Sequence, residues 1–335
     1  MKLSTKSSTS SAQAEEVGTS MYSKLRVAMK DPFFWSNWIV VVAFILVVVV
    51  FGAIKPHSFL TMYNLNNVLV ASSIPAIIAV GQTFAVTTAG IDLSVSSTMT
   101  LGAVVFGLTF TNGWPLWGSA VAGTIAGLLC GVLNGVIIAK RKISDFIVTL
   151  GMLSVAAGFA LVFSDGRPRQ IISTQLSTLA IGGFGQVPYL MIIALCIAVA
   201  AHFFLFNTRF GTHILATGGD PDAARSMGVN IDLVKIVVYA ISGTLAGFAA
   251  MLTISRIGAA EPAANTSILL NSVAAVVLGG VSLFGGRGTI FGPFVATLLL
   301  QALTNGLTVV GVAAYYQYVS IGLVVILSAA LVRTK

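Results

Sequence analysis

Charge is what this sequence has least of. Only 8% of its 335 residues are Asp, Glu, Lys or Arg, whereas a water-soluble domain carries about 25% to wet its surface. That shortage excludes an ordinary soluble fold. A formal net charge of +8 would suit nucleic acid in a soluble chain. In an apolar one, where the charges sit matters more than their sum, and no nucleic-acid partner is expected. There are two cysteines, Cys130 and Cys196, each inside an apolar run, so neither a disulfide framework nor a cysteine metal site is indicated. No Gly-Lys pair occurs anywhere, which removes the G-x-x-x-x-G-K-[ST] phosphate cradle. The glycine-rich "FGGRGTIFG" lacks that lysine and follows an apolar run. With no nucleophile–base pair or ligand cluster in the apolar runs, no catalytic residue, metal or cofactor is expected.

What the chain does have is apolar length. Hydrophobic residues make up 56% and the mean hydropathy is +0.97. Runs such as "IVVVAFILVVVVFGAI" are continuous and near the ~20 residues a helix needs to cross a bilayer. An outer-membrane barrel would alternate instead. The expectation is an all-α polytopic membrane protein with about ten spans, near 36–54, 66–88, 93–111, 115–139, 143–163, 188–206, 232–254, 268–284, 289–308 and 313–332. Residues 1–32 read as a polar, disordered tail and 33–335 as one membrane domain, entered beside Trp35 and Trp38. With the N-terminus in the cytoplasm, Lys55, Arg167, Arg169 and Arg256 fall outside and the rest of the 18 basic residues inside. The bias toward cytoplasmic Lys and Arg supports that orientation and puts both termini in the cytoplasm.

Three local patterns stand out. "GTIAGLLCGVLNG" places Gly123, Gly127, Gly131 and Gly135 four apart, a flat stripe on which another backbone can pack. Residues 217–232, "TGGDPDAARSMGVNID", are polar. Asp220 before Pro221 reads as an N-cap and first-turn proline. Asp222 and Arg225 suit the helix dipole, and Gly228 can end the helix in a left-handed conformation. Such a two-turn helix is too short to persist alone. It is either a capped connector on the membrane surface or an element that docks on a partner.

The third pattern is "GQTFAVTTAGIDLSVSS". Asp92 in it is the lone Asp, Glu, Lys or Arg between Lys55 and Lys140. A carboxylate at the bilayer centre costs about 2.5–3.5 kcal/mol on insertion scales. Asp92 therefore has a compensating role: N-cap of the helix after the break at Gly90, with Ser94 and Ser96 in its first turn; a residue facing the transport path; or a coupling-ion site. Gln82, Ser94 and Asn271 are the other polar candidates for the path. "LGGVSLFGGRGTIFGP" makes a second glycine-rich break, and interrupted segments in both halves suggest a duplicated transporter architecture.

"AVGQTFAVTTAGIDLSVSS" resembles the signature of permease subunits of ribose-type ABC sugar importers. "TRFGTHILATGGDPDAARSMGVNIDLVKIVVYAISGTLAGFAAML", "AAVVLGGVSLFGGRGTIFGP" and "LTNGLTVVGVAAYYQ" follow in the family's order, and the resemblance spans residues 36–332. Ser96 stands where relatives commonly have Gly. The resemblance implies an importer permease fold with interrupted helices in the bacterial cytoplasmic membrane. It implies partners too: a cytoplasmic ATPase with two nucleotide-binding modules in one chain, an extracytoplasmic sugar-binding protein, and a second permease copy or paralogue in the lipid. It also assigns ATPase coupling to the segment around 208–230, carried by Gly219, Asp220, Pro221, Asp222, Ala224, Arg225 and Gly228. The expected substrate is a monosaccharide or a related polyol. The alternatives are a branched-chain amino-acid permease of the same general layout, or an ion-coupled secondary transporter using Asp92.

Overall fold

A computed structural model describes residues 32–331; the tail read over 1–32 lies, apart from Pro32, outside the described residues. Helices occupy every apolar stretch named above. α1 (Pro32–Ile54) is followed by a single turn, α2 (Pro56–Phe59), and then α3 (Met62–Thr87), α4 (Val95–Thr111), α5 (Leu116–Arg141) and α6 (Asp145–Ser164). A connection carrying β1 (Arg169–Gln170), α7 (Thr174–Ile181), β2 (Gly183–Phe184) and β3 (Val187–Pro188) leads to α8 (Tyr189–Asn207). Two short helices, α9 (Arg209–Gly219) and α10 (Pro221–Ser226), precede α11 (Ile231–Ile257). The chain ends with β4 (Ala259–Ala260), α12 (Thr266–Leu278), α13 (Phe291–Val310) and α14 (Ala314–Leu331). Helices α3, α5, α6, α8, α11 and α13 are long and apolar enough to cross a membrane; α4, α12 and the Trp38–Ile54 part of α1 are shorter apolar helices.

Two expected boundaries are corrected. The stretch expected over 268–284 is helical only to Leu278, because Gly279 caps it and Gly280 turns to φ +79, where a right-handed helix cannot continue. The helix expected from 93 begins at Val95, with Ser94 as its N-cap residue. Both glycine-rich breaks are turns between separate helices rather than gaps within one.

α11 is the axis of the bundle, packed on α3, α4 and α5. Tyr239 and Leu252 of α11, Ile77 and Phe84 of α3, Phe106 of α4 and Leu190 of α8 are fully buried in one cluster. A second cluster joins α1, α3, α12 and α13 through Val40, Ala79, Val276 and Leu299. The glycine stripe of α5 explains the closeness of α11. A Cβ at Gly127 would strike the Gly243 carbonyl, one at Gly131 the Tyr239 carbonyl, and one at Gly135 would lie 2.6 Å from the Ile236 Cα; Gly123 meets the Gly102 carbonyl of α4 instead. These are backbone-on-backbone contacts, with dispersion between close main chains in place of interdigitated side chains. The outward flanks of α1 and α6 expose Val42, Leu46, Ile147 and Val162, as lipid-facing helices do.

The two ends of the bundle differ. At one end β1 pairs antiparallel with β4, and Arg169 donates to the Thr111 hydroxyl. At the other, the turn after α3, the turn after α12 and the α9–α10 junction meet.

Candidate functional site

Asp92 lies in the turn between α3 and α4 and is 1% exposed. Its Oδ1 accepts from the Ser94 backbone N–H at 3.0 Å and the Ser94 hydroxyl at 2.6 Å, and its Oδ2 from the Ser242 hydroxyl of α11 at 2.7 Å. The Asn134 amide of α5 donates to the same Ser94 oxygen at 2.9 Å, and Gln82 of α3 donates to the Asp92 carbonyl at 3.0 Å. Asp92 therefore holds the first turn of α4 from two residues ahead of the N-cap position, which Ser94 occupies; this corrects its expected place as the cap residue itself. The carboxylate ties the start of α4 to α11, and the bonds to the Asp92 carbonyl and the Ser94 hydroxyl add α3 and α5 to the same network. No salt bridge to it exists among the described residues, so its oxygens are met by neutral donors, which repay part of the desolvation. Gln82 Oε1, Asn134 Oδ1 and Ser96 Oγ are buried nearby in sequence or contact without a hydrogen-bond partner. Gln82, Asp92 and Ser94 thus form one group. Asn271, half-buried on α12, is not hydrogen-bonded to it.

A second carboxylate sits beside the same turn. Asp145, the first residue of α6, accepts on Oδ2 from Lys235 at 2.8 Å and from the Tyr239 hydroxyl at 2.7 Å. Lys235 also donates to the Thr88 carbonyl at 3.0 Å, and Thr149 donates to the Ile91 carbonyl at 3.1 Å. The pair is half-buried, with side chains 16% and 18% exposed. Gly90 faces it so closely that a Cβ there would overlap Asp145 Oδ2. The glycine read as marking the break is needed for this approach; the positive φ of the turn belongs to Ala89, at +58. The ion pair was not foreseen, since its members are 90 positions apart in runs that otherwise look like ordinary span ends.

The short helix α10 is built from local rules. Asp220 Oδ1 accepts from the N–H groups of Asp222 and Ala223, both at 3.0 Å, and Pro221 takes the first turn. At the other end Gly228 has φ +85, its N–H donates to the Arg225 carbonyl at 3.0 Å, and Val229 N–H donates to the Ala224 carbonyl at 3.0 Å. That is a Schellman closure. Only Ala224 of this helix is buried; Asp222 and Arg225, 3.7 Å apart, are exposed, so their attraction adds little. The result is a stiff knob, capped at both ends and standing out from the bundle.

The last turn of α9, which leads directly into the knob through Asp220, rests on both glycine-rich turns. A Cβ at Gly218 would overlap the Thr87 carbonyl and lie 2.5 Å from the Gly286 nitrogen. Gly286 N–H donates to Thr87 O at 2.9 Å, and a Cβ on Gly286 would lie 2.6 Å from the Gly219 Cα. A Cβ on Gly285 (φ +80) would likewise lie 2.6 Å from Gly218 O and 2.8 Å from Ala89 N. Three backbones meet with no side chain between them. α10 is joined through Asp220 to the end of α9 that makes these contacts, and packing at this junction leaves no rotamer to take up a shift.

The family model described as "Branched-chain amino acid transport system / permease component" matches residues 64–329. The ribose import permease protein RbsC of Escherichia coli (strain K12) is 38% identical over 314 residues, covering 90% of this chain and 96% of that one. The D-allose transport system permease protein AlsC of the same organism is 32% identical over 315 residues, 92% and 97% of the two chains. The fructose import permease protein FrcC of Rhizobium meliloti is 34% identical over 301 residues, 87% and 83%. No solved structure matches.

Proposed function

The chain belongs to the family of branched-chain amino acid transport system / permease components, and from that premise we propose that it is the multi-pass membrane subunit of an ATP-driven importer for a monosaccharide. The family description names branched-chain amino acids, but relatives alike over nearly the whole length are named for ribose, D-allose and fructose, which favours sugars. In this reading the chain crosses a bacterial cytoplasmic membrane about ten times, with both termini and α9–α10 in the cytoplasm. It assembles with a second copy or paralogue in the lipid, a tandem-module ATPase below and a sugar-binding protein outside. ATP is hydrolysed on the partner.

The observation that carries this reading is the doubly capped α10, which continues directly from the end of α9 that is seated on the backbone junction of both turns. Residues 219–228 are the coupling element. Asp220 and Gly228 keep its shape, Pro221 starts it, Ala224 anchors it, and Asp222 and Arg225 face the ATPase. Closure of the ATPase moves α10, and α10 moves the turns that begin α4 and α13. The equilibrium between outward- and inward-open states shifts only by contacts that differ between them, and in this reading those contacts are made at the docking helix. The path runs beside the turns, where the Gln82, Asp92 and Ser94 group supports the first and Asn271 precedes the second.

The test is charge reversal. Asp220→Arg with Arg225→Glu should abolish co-purification of the ATPase and ATP-dependent sugar uptake while the permease stays monodisperse in detergent. Intact binding and uptake would refute the coupling assignment. Uptake that persists without an ATPase and follows a proton or sodium gradient would instead favour secondary transport through Asp92.

A further inference from the structure

The turn after α12 carries more than its contact with the end of α9 requires. Gly285 N–H donates to the Ser282 carbonyl at 3.0 Å, Ser282 N–H to the Arg287 carbonyl at 3.1 Å, and Phe284 N–H to the Ser282 hydroxyl at 3.3 Å. With Gly286 tied to Thr87, residues 282–288 form a fixed loop. Its tip presents Leu283, 47% exposed, and Phe284, 75% exposed. Among the described residues, most exposed large apolar side chains lie on the long helices. Phe284 instead stands beyond the end of α12, in a loop that abuts Gly218 and Gly219, the residues leading into the Asp220 cap. Met227, the residue that caps the C-terminal end of α10, is 86% exposed. A rigidly held, exposed aromatic next to the element that leads into a docking knob has the form of an interface anchor, since aromatic residues, Phe among them, are enriched at interface cores.

We propose that residues 282–288 are a second docking element for the same cytoplasmic ATPase, with Phe284 seated in an apolar recess of that subunit next to the cleft that receives α10. The proposal rests on the reading of α10 as the coupling helix and extends its surface to the other half of the chain. The ATPase then grips the permease at two points joined by the Gly218–Gly286 backbone contact, one on each side of α11 in sequence.

The experiment places photoreactive p-benzoylphenylalanine at position 284 or at position 227 of the full-length permease, with irradiation of native membranes and identification of the adducts by mass spectrometry. The expected result is an ATPase adduct from both positions. An adduct from 227 with only lipid adducts from 284 would overturn this proposal and leave the coupling helix standing. No ATPase adduct from either would overturn both. As a second readout, Phe284→Asp should weaken ATPase retention about tenfold and Phe284→Trp should retain it, as expected for an anchor. Equal retention by Phe284→Asp and the parent would also overturn the proposal.

Discussion

Asp92 and Asp145 sit on either side of Thr149, whose hydroxyl donates to the carbonyl of Ile91, the residue before Asp92, and to the Asp145 carbonyl, yet the two carboxylates are satisfied in opposite ways. Asp92, fully buried, is met by hydroxyls and a backbone N–H. Asp145, half-buried at the end of the bundle, is met by an ammonium and a phenol. Depth accounts for the difference. A lysine brought to Asp92 would have to shed its own hydration, and in a dry interior that penalty can exceed the attraction. At the rim Lys235 can bury its stem and keep its head in a polar place. The deep carboxylate fixes geometry; the shallow one makes a charged fastening that water can reach.

The contrast can be broken at the deep site first. Asp92→Ala would strand the Ser94 and Ser242 donors in the interior, at about 1–3 kcal/mol for each unsatisfied group. Monodisperse permease recovered in detergent should fall more than tenfold, with Asp92→Asn losing less because it keeps one acceptor oxygen. Recovery of Asp92→Ala at the parent level would show that the group holds nothing.

At the shallow site the effect should be intermediate and coupled. Lys235→Met leaves Asp145 with Tyr239 alone and should destabilise by about 1–3 kcal/mol. Asp145→Asn added to it should recover part of that loss, a coupling of at least about 1 kcal/mol in a double-mutant cycle of detergent Tm values. Strict additivity would mean the pair is only a surface ion pair. The smallest effect sharpens the scale. Lys140 and Asp232 approach to 2.9 Å but are 59% and 38% exposed, so Lys140→Ala should alter stability by no more than about 0.5 kcal/mol.

Much of this was readable along the chain and some of it was not, for one reason. Helices and the α10 caps depend on neighbours a few positions away, so apolar runs, Asp220–Pro221 and Gly228 announce themselves. Asp92 was conspicuous as a solitary charge, but its partners were not, because Ser242 is 150 positions off and Asn134 reaches Ser94 across 40. Lys235 and Asp145 looked like membrane-end charges until folding paired them. The end of α12 was overrun because Val281, Leu283 and Phe284 prolong the apolar run past Gly280, and hydropathy does not register a positive φ.

The glycine stripe of α5 has a consequence for motion. With carbonyls of α11 lying directly on Gly127 and Gly131, α11 cannot roll about its own axis without driving main chain into main chain. The two helices are therefore one stiff beam. Lys235 and Tyr239 near one end of that beam and Ala250 and Leu252 toward the other are locked in phase, so whatever rearrangement admits a solute is borne by the helices around this pair.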